Sequence, residues 1–199
     1  MRRRSHDYRG GSLSFRQKEK KLNQNVIYEI LTWVFGVAAA VFLAIVLVYS
    51  VGIRTSVVGA SMEPSLHNGQ EVLINRVIYQ FSSPKRGDVI VFRPNGNQNS
   101  HFYVKRVIGL PGETVQIVQG QVYLDGELYR DDITDDTKEA GIAETEIELG
   151  AEEYFVLGDN RDNSEDSRSA NIGNVSRSMI EGKAWFHLGS GAEQMGKVE

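Results

Sequence analysis

Hydrophobic residues are concentrated in one uninterrupted segment near the start of the chain. The 24 residues 30–53 carry no charge and are mostly Val, Ala, Leu, Ile and Phe. As a helix this segment would measure about 36 Å, which is enough to cross a bilayer with some tilt. A cleaved secretory signal has an apolar core of only about 7–15 residues. The segment therefore predicts a retained transmembrane helix over 30–53, with Trp33 and Tyr49 near the two interfaces.

Beyond this segment the pattern changes to short apolar runs separated by turn residues. Six runs have the composition of β-strands: 72–74, 88–92, 102–108, 114–118, 121–124 and 154–157. Turn signals between them are Asn68-Gly69, Arg86-Gly87-Asp88, Leu110-Pro111-Gly112, Gln119-Gly120 and Asp125-Gly126. The pattern predicts a mostly β fold, an all-β barrel or sandwich behind a single N-terminal transmembrane helix, with a short helix near 171–180.

Two segments lack a clear apolar pattern. Residues 131–150 are acidic and poor in apolar side chains, which favours either a long exposed loop or a small edge subdomain. Residues 189–199 have no apolar period, so we expect a frayed tail.

Charge orients the predicted span. Residues 1–25 carry a net charge of +6 in a chain whose total is −4, which leaves −10 for residues 26–199. Short basic segments before a first span stay in the cytoplasm. We therefore expect a cytoplasmic tail (1–29), an anchor in the plasma membrane (30–53) and an extracytoplasmic domain (54–199). The bilayer is then one partner, and the acidic domain argues against nucleic acid as another.

The chain contains no cysteine, so neither disulfides nor thiol chemistry are available to it. A turn rich in small residues, which follows the span, contains Ser61. Gly59 and Ala60 leave its hydroxyl sterically open, and Pro64 stiffens the turn. A serine hydroxyl is a weak nucleophile at neutral pH unless a nearby base takes its proton. The sequence thus makes Ser61 a candidate nucleophile that needs a base.

Lys105 is the best candidate for that base, and His101 is the alternative. Strand alternation gives 102–108 two faces, one with Tyr103, Lys105 and Val107 and the other with Val104 and Arg106. Large apolar neighbours desolvate an amine, which lowers its pKa towards neutrality and lets it accept a proton. Ser/Lys pairs are a known variant of the serine–base arrangement.

A charged loop, residues 158–168, directly follows the last predicted strand. By composition it is solvated, but it could fold back over the strand end. Asp159, Asp166 and Arg168 could then form a buried ion-pair network, and Ser164 could orient the lysine amine. The run from Asp162 resembles the start of a calcium loop, but a serine stands at the sixth position, where glycine is required. The four histidines show no metal-ligand spacing, so we expect no metal and no other cofactor.

Four segments together resemble the conserved boxes of bacterial type I signal peptidases, the membrane-bound Ser/Lys proteases that remove signal peptides from exported proteins. In chain order they are 61–66, 86–92, 103–112 and 158–168. The resemblance covers nearly everything from the anchor onward. The short segment 113–157 implies a reduced second β region, as in the compact form common in Gram-positive bacteria.

The resemblance implies specific residue roles. Ser61 would be the nucleophile and Lys105 the general base, with Ser164 hydrogen-bonded to the lysine. Asp159, Asp166, Arg168 and Arg106 would support the fold around the pair. Val57, Val58, Met62, Tyr103 and Val104 would line the substrate cleft. Its substrates would be preproteins with signal peptides, cut after small side chains at the first and third residues before the bond.

One position departs from the resemblance, and two other interpretations stay open. Some members carry a serine two residues before the nucleophile to stabilise the oxyanion; here Gly59 leaves that task to backbone N–H groups. A cytoplasmic self-cleaving Ser/Lys protease would place residues 60–199 in the cytoplasm. An anchored binding module without enzymatic activity would keep its function after Ser61→Ala.

Overall fold

A computed structural model describes residues 24–51, 53–97, 99–130, 137–189 and 195–198. The chain divides into two compact units, of which the first ends at Leu43 and the second begins at Ala44. The division falls within the long helix α1 (Gln24–Val51).

Helix α1 is long and apolar enough to cross a membrane, judged by its length and composition. Its 28 residues measure about 42 Å. Its large side chains are exposed, for example Trp33 at 72% and Phe35 at 76%. The helix begins before the predicted span and ends at Val51, while Ile53 instead starts the first strand.

The second unit is mostly β. Its strands in chain order are β1 (Ile53–Ser56), β2 (Glu71–Asn75), β3 (Val89–Phe92), β4 (Tyr103–Gly109), β5 (Thr114–Val118), β6 (Gln121–Leu124), β7 (Glu127–Leu128), β8 (Ile147–Glu148), β9 (Glu153–Leu157), β10 (Val175–Ser176), β11 (Ile180–His187) and β12 (Gly196–Lys197). One short helix, α2 (Ile78–Phe81), follows β2. All six predicted strands are present, within one residue of their predicted bounds.

Two antiparallel sheets organise these strands. The larger sheet has the order β1-β2-β11-β3-β4-β9-β10, with β12 added to β11, and it curls into a half-barrel. The smaller sheet has the order β7-β6-β5-β8. Its hairpins turn at Gln119-Gly120 and Asp125-Gly126, where both residues of each pair have positive φ, as type I′ turns require. The mostly β prediction is therefore confirmed.

Side-chain alternation distributes the core over three apolar clusters. On β3, Val89 and Val91 belong to one cluster, while Ile90 and Phe92 belong to a second. The third cluster lies between the small sheet and the strands β4 and β9. Strand β4 contributes to all three through Val104, Val107 and Ile108. This strand thus lies where the cores meet.

Of the short helix predicted near 171–180, only one 3₁₀ turn is present, and the rest of the segment is not helical. Gly173 has φ +59°, and β10, a 3₁₀ turn (Arg177–Met179) and the start of β11 follow it. Strand β11 itself was missed, although it pairs with both β2 and β3. Its apolar face is hard to see in the sequence because Gly182 occupies an inward position, where an added Cβ would lie 2.5 Å from the Asn75 carbonyl oxygen.

The two segments without a clear pattern are also partly ordered into sheets. Residues 131–136 lie outside the described residues, but 137–150 contain a 3₁₀ turn (Gly141–Glu144) and β8, which is the edge of the small sheet. Ala143 and Leu149 are buried there, so the edge-subdomain alternative fits 137–150 and the exposed loop does not. In the predicted frayed tail, β12 pairs with β11.

Candidate active site

Ser61 lies in the connection between β1 and β2, in a turn held at both ends. Val57 N donates to the Gln70 carbonyl, and Gly69 N donates to the Val57 carbonyl, both at 2.8 Å. Met62 and Leu66 are fully buried beneath the turn and fix it to the first apolar cluster. The turn therefore presents Ser61, which is half-buried, from a rigid base.

Lys105 lies on β4, and its amine meets the serine hydroxyl. The distance from Lys105 Nζ to Ser61 Oγ is 2.6 Å. The lysine is only 3% exposed, and its Nζ is 5.6 Å from the centre of the Tyr103 ring. The predicted pair thus comes together across 44 positions of sequence.

Burial controls the ionisation of this amine. The pKa of Lys105 is lowered from 10.5 to about 8, chiefly because desolvation disfavours the ammonium form. The charges of Asp166, Glu165 and Asp159 oppose this shift, and the Arg168 charge adds to it. The amine can therefore be neutral, and so accept a proton, in mildly alkaline solution.

A buried ion pair joins β4 to the loop that follows β9. Arg106 Nε and Nη2 each donate to one oxygen of Asp159, both at 2.7 Å, and both side chains are buried. Arg106 Nη1 also donates to the Gly87 carbonyl at 2.9 Å. The pair fixes the residue next to Lys105, on the opposite face of the strand.

Asp166 and Arg168 form a second, separate pair. Arg168 Nε and Nη2 donate to the two oxygens of Asp166 at 2.8 and 2.9 Å. The remaining donors of Arg168 bind Thr137 Oγ1 and two carbonyl oxygens. The single network expected for Asp159, Asp166 and Arg168 is therefore divided in two, because Asp159 turns to Arg106.

Ser164 does not make the expected hydrogen bond with Lys105. Its Oγ is buried and has no hydrogen-bond partner among the described residues. The hydroxyl instead packs against Gly158, where an added Cβ would lie 2.2 Å from Ser164 Oγ and 2.4 Å from the Ser61 carbonyl oxygen. Asn160 N donates to the same Ser61 carbonyl at 3.1 Å. The loop 158–168 thus closes directly onto the serine turn.

The positions around the hydroxyl also restrict where an oxyanion could bind. Gly59 has φ +85°, a conformation that strains any residue with a side chain. Its own N–H donates to Asn68 Oδ1 at 2.9 Å. This backbone shape favours glycine at position 59.

A cleft of about 580 Å³ opens beside the Ser61–Lys105 pair. Four of the five predicted cleft residues line it: Val57, Val58, Tyr103 and Val104. Met62 does not line it; this prediction is corrected, because its side chain is fully buried in the first apolar cluster.

Other lining residues were missed, because loops distant in sequence bring them together. They are Pro94, Asn95, Asn97, Ser100, Phe102, Glu165, Asn171 and Ile172. Of these residues, only Glu165 could have been identified from the sequence, because it lies next to Ser164 in the segment 158–168. His101, the alternative candidate for the base, also lines the cleft, but the side chain in contact with the Ser61 hydroxyl is Lys105.

The described residues contain no group of His, Cys, Asp and Glu side chains suited to a metal ion. The two carboxylates of the segment that resembles a calcium loop each pair with a different basic side chain. Asp162 binds Lys138 Nζ at 2.5 Å, and Asp166 binds Arg168.

The family model and the related sequences point to one family. The sequence model described as "Signal peptidase, peptidase S26" matches residues 30–188. The chain is 35% identical to signal peptidase I of Bacillus amyloliquefaciens, over 85% of this chain and 92% of the relative. It is 34% identical to signal peptidase I T of Bacillus subtilis, over 85% and 89%. A crystal structure of a signal peptidase I from Enterococcus faecalis is 30% identical and covers 51% of this chain and 97% of its own, with a TM-score of 0.40.

Proposed function

The chain belongs to the signal peptidase family, peptidase S26, and we propose that it cleaves preproteins with Ser61 as nucleophile and Lys105 as general base. It is a signal peptidase hydrolase by family. The observation that carries the proposed dyad is the 2.6 Å contact between Ser61 Oγ and a lysine amine that is 3% exposed.

The chemistry follows from the neutral amine. Lys105 accepts the proton of Ser61 as Oγ attacks the scissile carbonyl carbon, and a tetrahedral oxyanion forms. The same proton then passes to the departing amine, which leaves an acyl-enzyme. Lys105 next takes a proton from water, the resulting hydroxide attacks the ester, and Ser61 regains its proton. The signal peptide leaves with the new carboxyl group.

Backbone N–H groups stabilise the oxyanion in this proposal. The Gly59 N–H already donates to Asn68, which leaves the Ser61 amide as the first donor. Such donors supply several kcal/mol in acyl transfer. The rigid turn favours this role, because it holds the amide in place before the substrate arrives.

The substrate lies extended along β4. Strand β9 pairs with β4 only from Arg106 onward, so the described pairing leaves residues 103–105 without a neighbour on that side. An extended peptide can add to such an edge through its main chain. Val57, Val58 and Val104 lie beside it, and shallow pockets between valines favour small side chains near the cut.

The chain is anchored in the membrane by α1 in this proposal. The +6 charge of residues 1–25 keeps the N-terminus in the cytoplasm and places 54–199 outside. Anchoring confines enzyme and membrane-bound preprotein to one surface, which raises their effective concentration.

Purified full-length protein in detergent provides the test. A preprotein is incubated with the wild type, Ser61→Ala and Lys105→Ala, and the N-terminus of each product is sequenced. Ser82→Ala and Lys85→Ala are matched controls, because both residues are exposed and neither lines the cleft.

We expect the wild type and both controls to cut after a small-x-small sequence, and both dyad variants to be inactive. Cleavage by Ser61→Ala or Lys105→Ala at the wild-type rate would overturn the dyad. An inactive wild type that retains its fold would instead favour the binding-module interpretation.

A further inference from the structure

Glu165 introduces a negative charge into a cleft that is otherwise made of apolar and neutral polar groups. Among the described residues that line the cleft, it is the only carboxylate. The other ionisable lining residues are His101, Tyr103 and Lys105. Lys105 has to be neutral for the proposed chemistry. With histidine counted as neutral, the cleft in its active form therefore carries one formal charge, the negative charge of Glu165.

No cation of the described residues neutralises this carboxylate. The neighbouring acid, Asp166, is buried and bound by Arg168, whereas Glu165 is exposed and forms no ion pair with a described residue. Its hydrogen bond comes from the Tyr103 hydroxyl, which donates to Oε2 at 3.1 Å. The same tyrosine ring lies 5.6 Å from Lys105 Nζ. The hydrogen bond thus holds Glu165 against the wall of the cleft, near the Ser61–Lys105 pair.

We propose that Glu165 is a specificity-determining residue, which makes the cleft prefer a basic over an acidic side chain in the part of the substrate that passes it. This inference rests on the proposed peptidase function of the same cleft. A substrate lysine or arginine gains a partner that the protein does not supply itself, and a substrate aspartate or glutamate meets a like charge. Because Glu165 is partly solvated, the preference is modest.

The experiment measures a ratio of substrates. Peptides with fixed small residues at the first and third positions before the cut carry Lys, Gln or Glu at one other position, from the second residue before the cut to the third after it. The value of kcat/KM for each is measured with full-length enzyme in detergent. A change in the pKa of Lys105, or a partial loss of folded enzyme, affects all peptides equally and cancels in the Lys-to-Glu ratio.

For at least one position we expect the wild type to prefer Lys over Glu, and Glu165→Gln to reduce that ratio by about two- to five-fold. Glu165→Lys should invert the preference at the same position. Raising the salt concentration should move the wild-type ratio towards that of Glu165→Gln, because exposed charges are screened. Glu127→Gln is the matched control, since it removes an exposed carboxylate on β7 of the small sheet and should leave the ratio unchanged.

Equal ratios for the wild type, Glu165→Gln and Glu165→Lys at every position would overturn the inference and leave the proposed function intact. A wild type that cuts none of the peptides and no preprotein would overturn the proposed function itself. If Glu127→Gln reduced the Lys-to-Glu ratio as much as Glu165→Gln does, the effect would come from the net charge of the protein and not from the cleft. That result would also overturn the inference.

Discussion

Removing the ring of Tyr103 should move the pH dependence of cleavage towards higher pH. The ring lies on the same face of β4 as Lys105, with its centre 5.6 Å from Nζ. Burial is the main cause of the lowered pKa of this amine. In Tyr103→Ala, water takes the place of the ring and solvates the ammonium form, so the pKa of Lys105 rises.

The size of the effect is bounded by two pKa values. With the pKa at about 8, roughly a tenth of the enzyme has a neutral Lys105 at pH 7. With the pKa at its ordinary 10.5, the neutral fraction would be about 300-fold smaller. Since Tyr103 supplies only part of the burial, the variant should lie between these limits. Each pH unit by which the midpoint rises lowers kcat/KM at pH 7 about tenfold.

The assay is kcat/KM on one peptide between about pH 6 and 10.5, which reports ionisation in the free enzyme. Tyr103→Phe is the matched control, because it keeps the ring and removes only the hydroxyl. We expect a midpoint near 8 for the wild type and close to that for Tyr103→Phe, with a higher midpoint for Tyr103→Ala. A lower plateau with an unchanged midpoint in Tyr103→Ala would refute the desolvation argument. A flat wild-type profile from pH 6 to 9 would refute a lysine base altogether.

Three further predictions concern stability and topology. Lys105→Met should raise the free energy of unfolding by about 3 kcal/mol below pH 8, because the wild type must give up a proton or bury a charge on folding. This gain in stability should shrink as pH rises from 8 to 10.5. A gain that does not change with pH in denaturant titrations would contradict the reasoning. Asp159→Asn removes the carboxylate that pairs with the buried Arg106 charge and should cost about 3–5 kcal/mol of stability. Asp162→Asn removes only an exposed partner of Lys138 and should leave the unfolding midpoint unchanged. The chain has no cysteine, so Glu127→Cys and Ser12→Cys each introduce a single thiol. In intact cells an impermeant maleimide should label Glu127→Cys and not Ser12→Cys. The reverse labelling pattern would show that the proposed topology is inverted.

Local patterns were sufficient to predict six of the strands and to select Ser61 and Lys105 as a pair, but not to predict the contacts that depend on sheet order. The six predicted strands carry alternating or continuous apolar residues, and Lys105 could be assigned from its apolar neighbours on one strand face. The Arg106–Asp159 pair could not be predicted, since it arises because the loop after β9 runs beside β4. Strand β11 was hidden by Gly182 and by the charged residues that alternate with its buried positions.

Met62 illustrates the limit for apolar side chains. Its residue type suits both a cleft wall and a core, and only its full burial beneath the serine turn decides between them. The cleft residues from 94–102 and 171–172 were equally out of reach, because loops rather than periodic segments bring them to the site.

Strand β4 belongs to all three apolar clusters and also carries the proposed general base. Its apolar side chains are therefore not fully buried until both sheets have formed and packed. Lys105 loses its water only when the surrounding core is complete, so an incompletely folded chain keeps a charged lysine and an unactivated serine. The proposed proteolytic activity is thus tied to the final stage of folding. With Lys105 as the base, a newly made chain that exposes its own extended segments cannot digest itself or its neighbours before its own structure is complete.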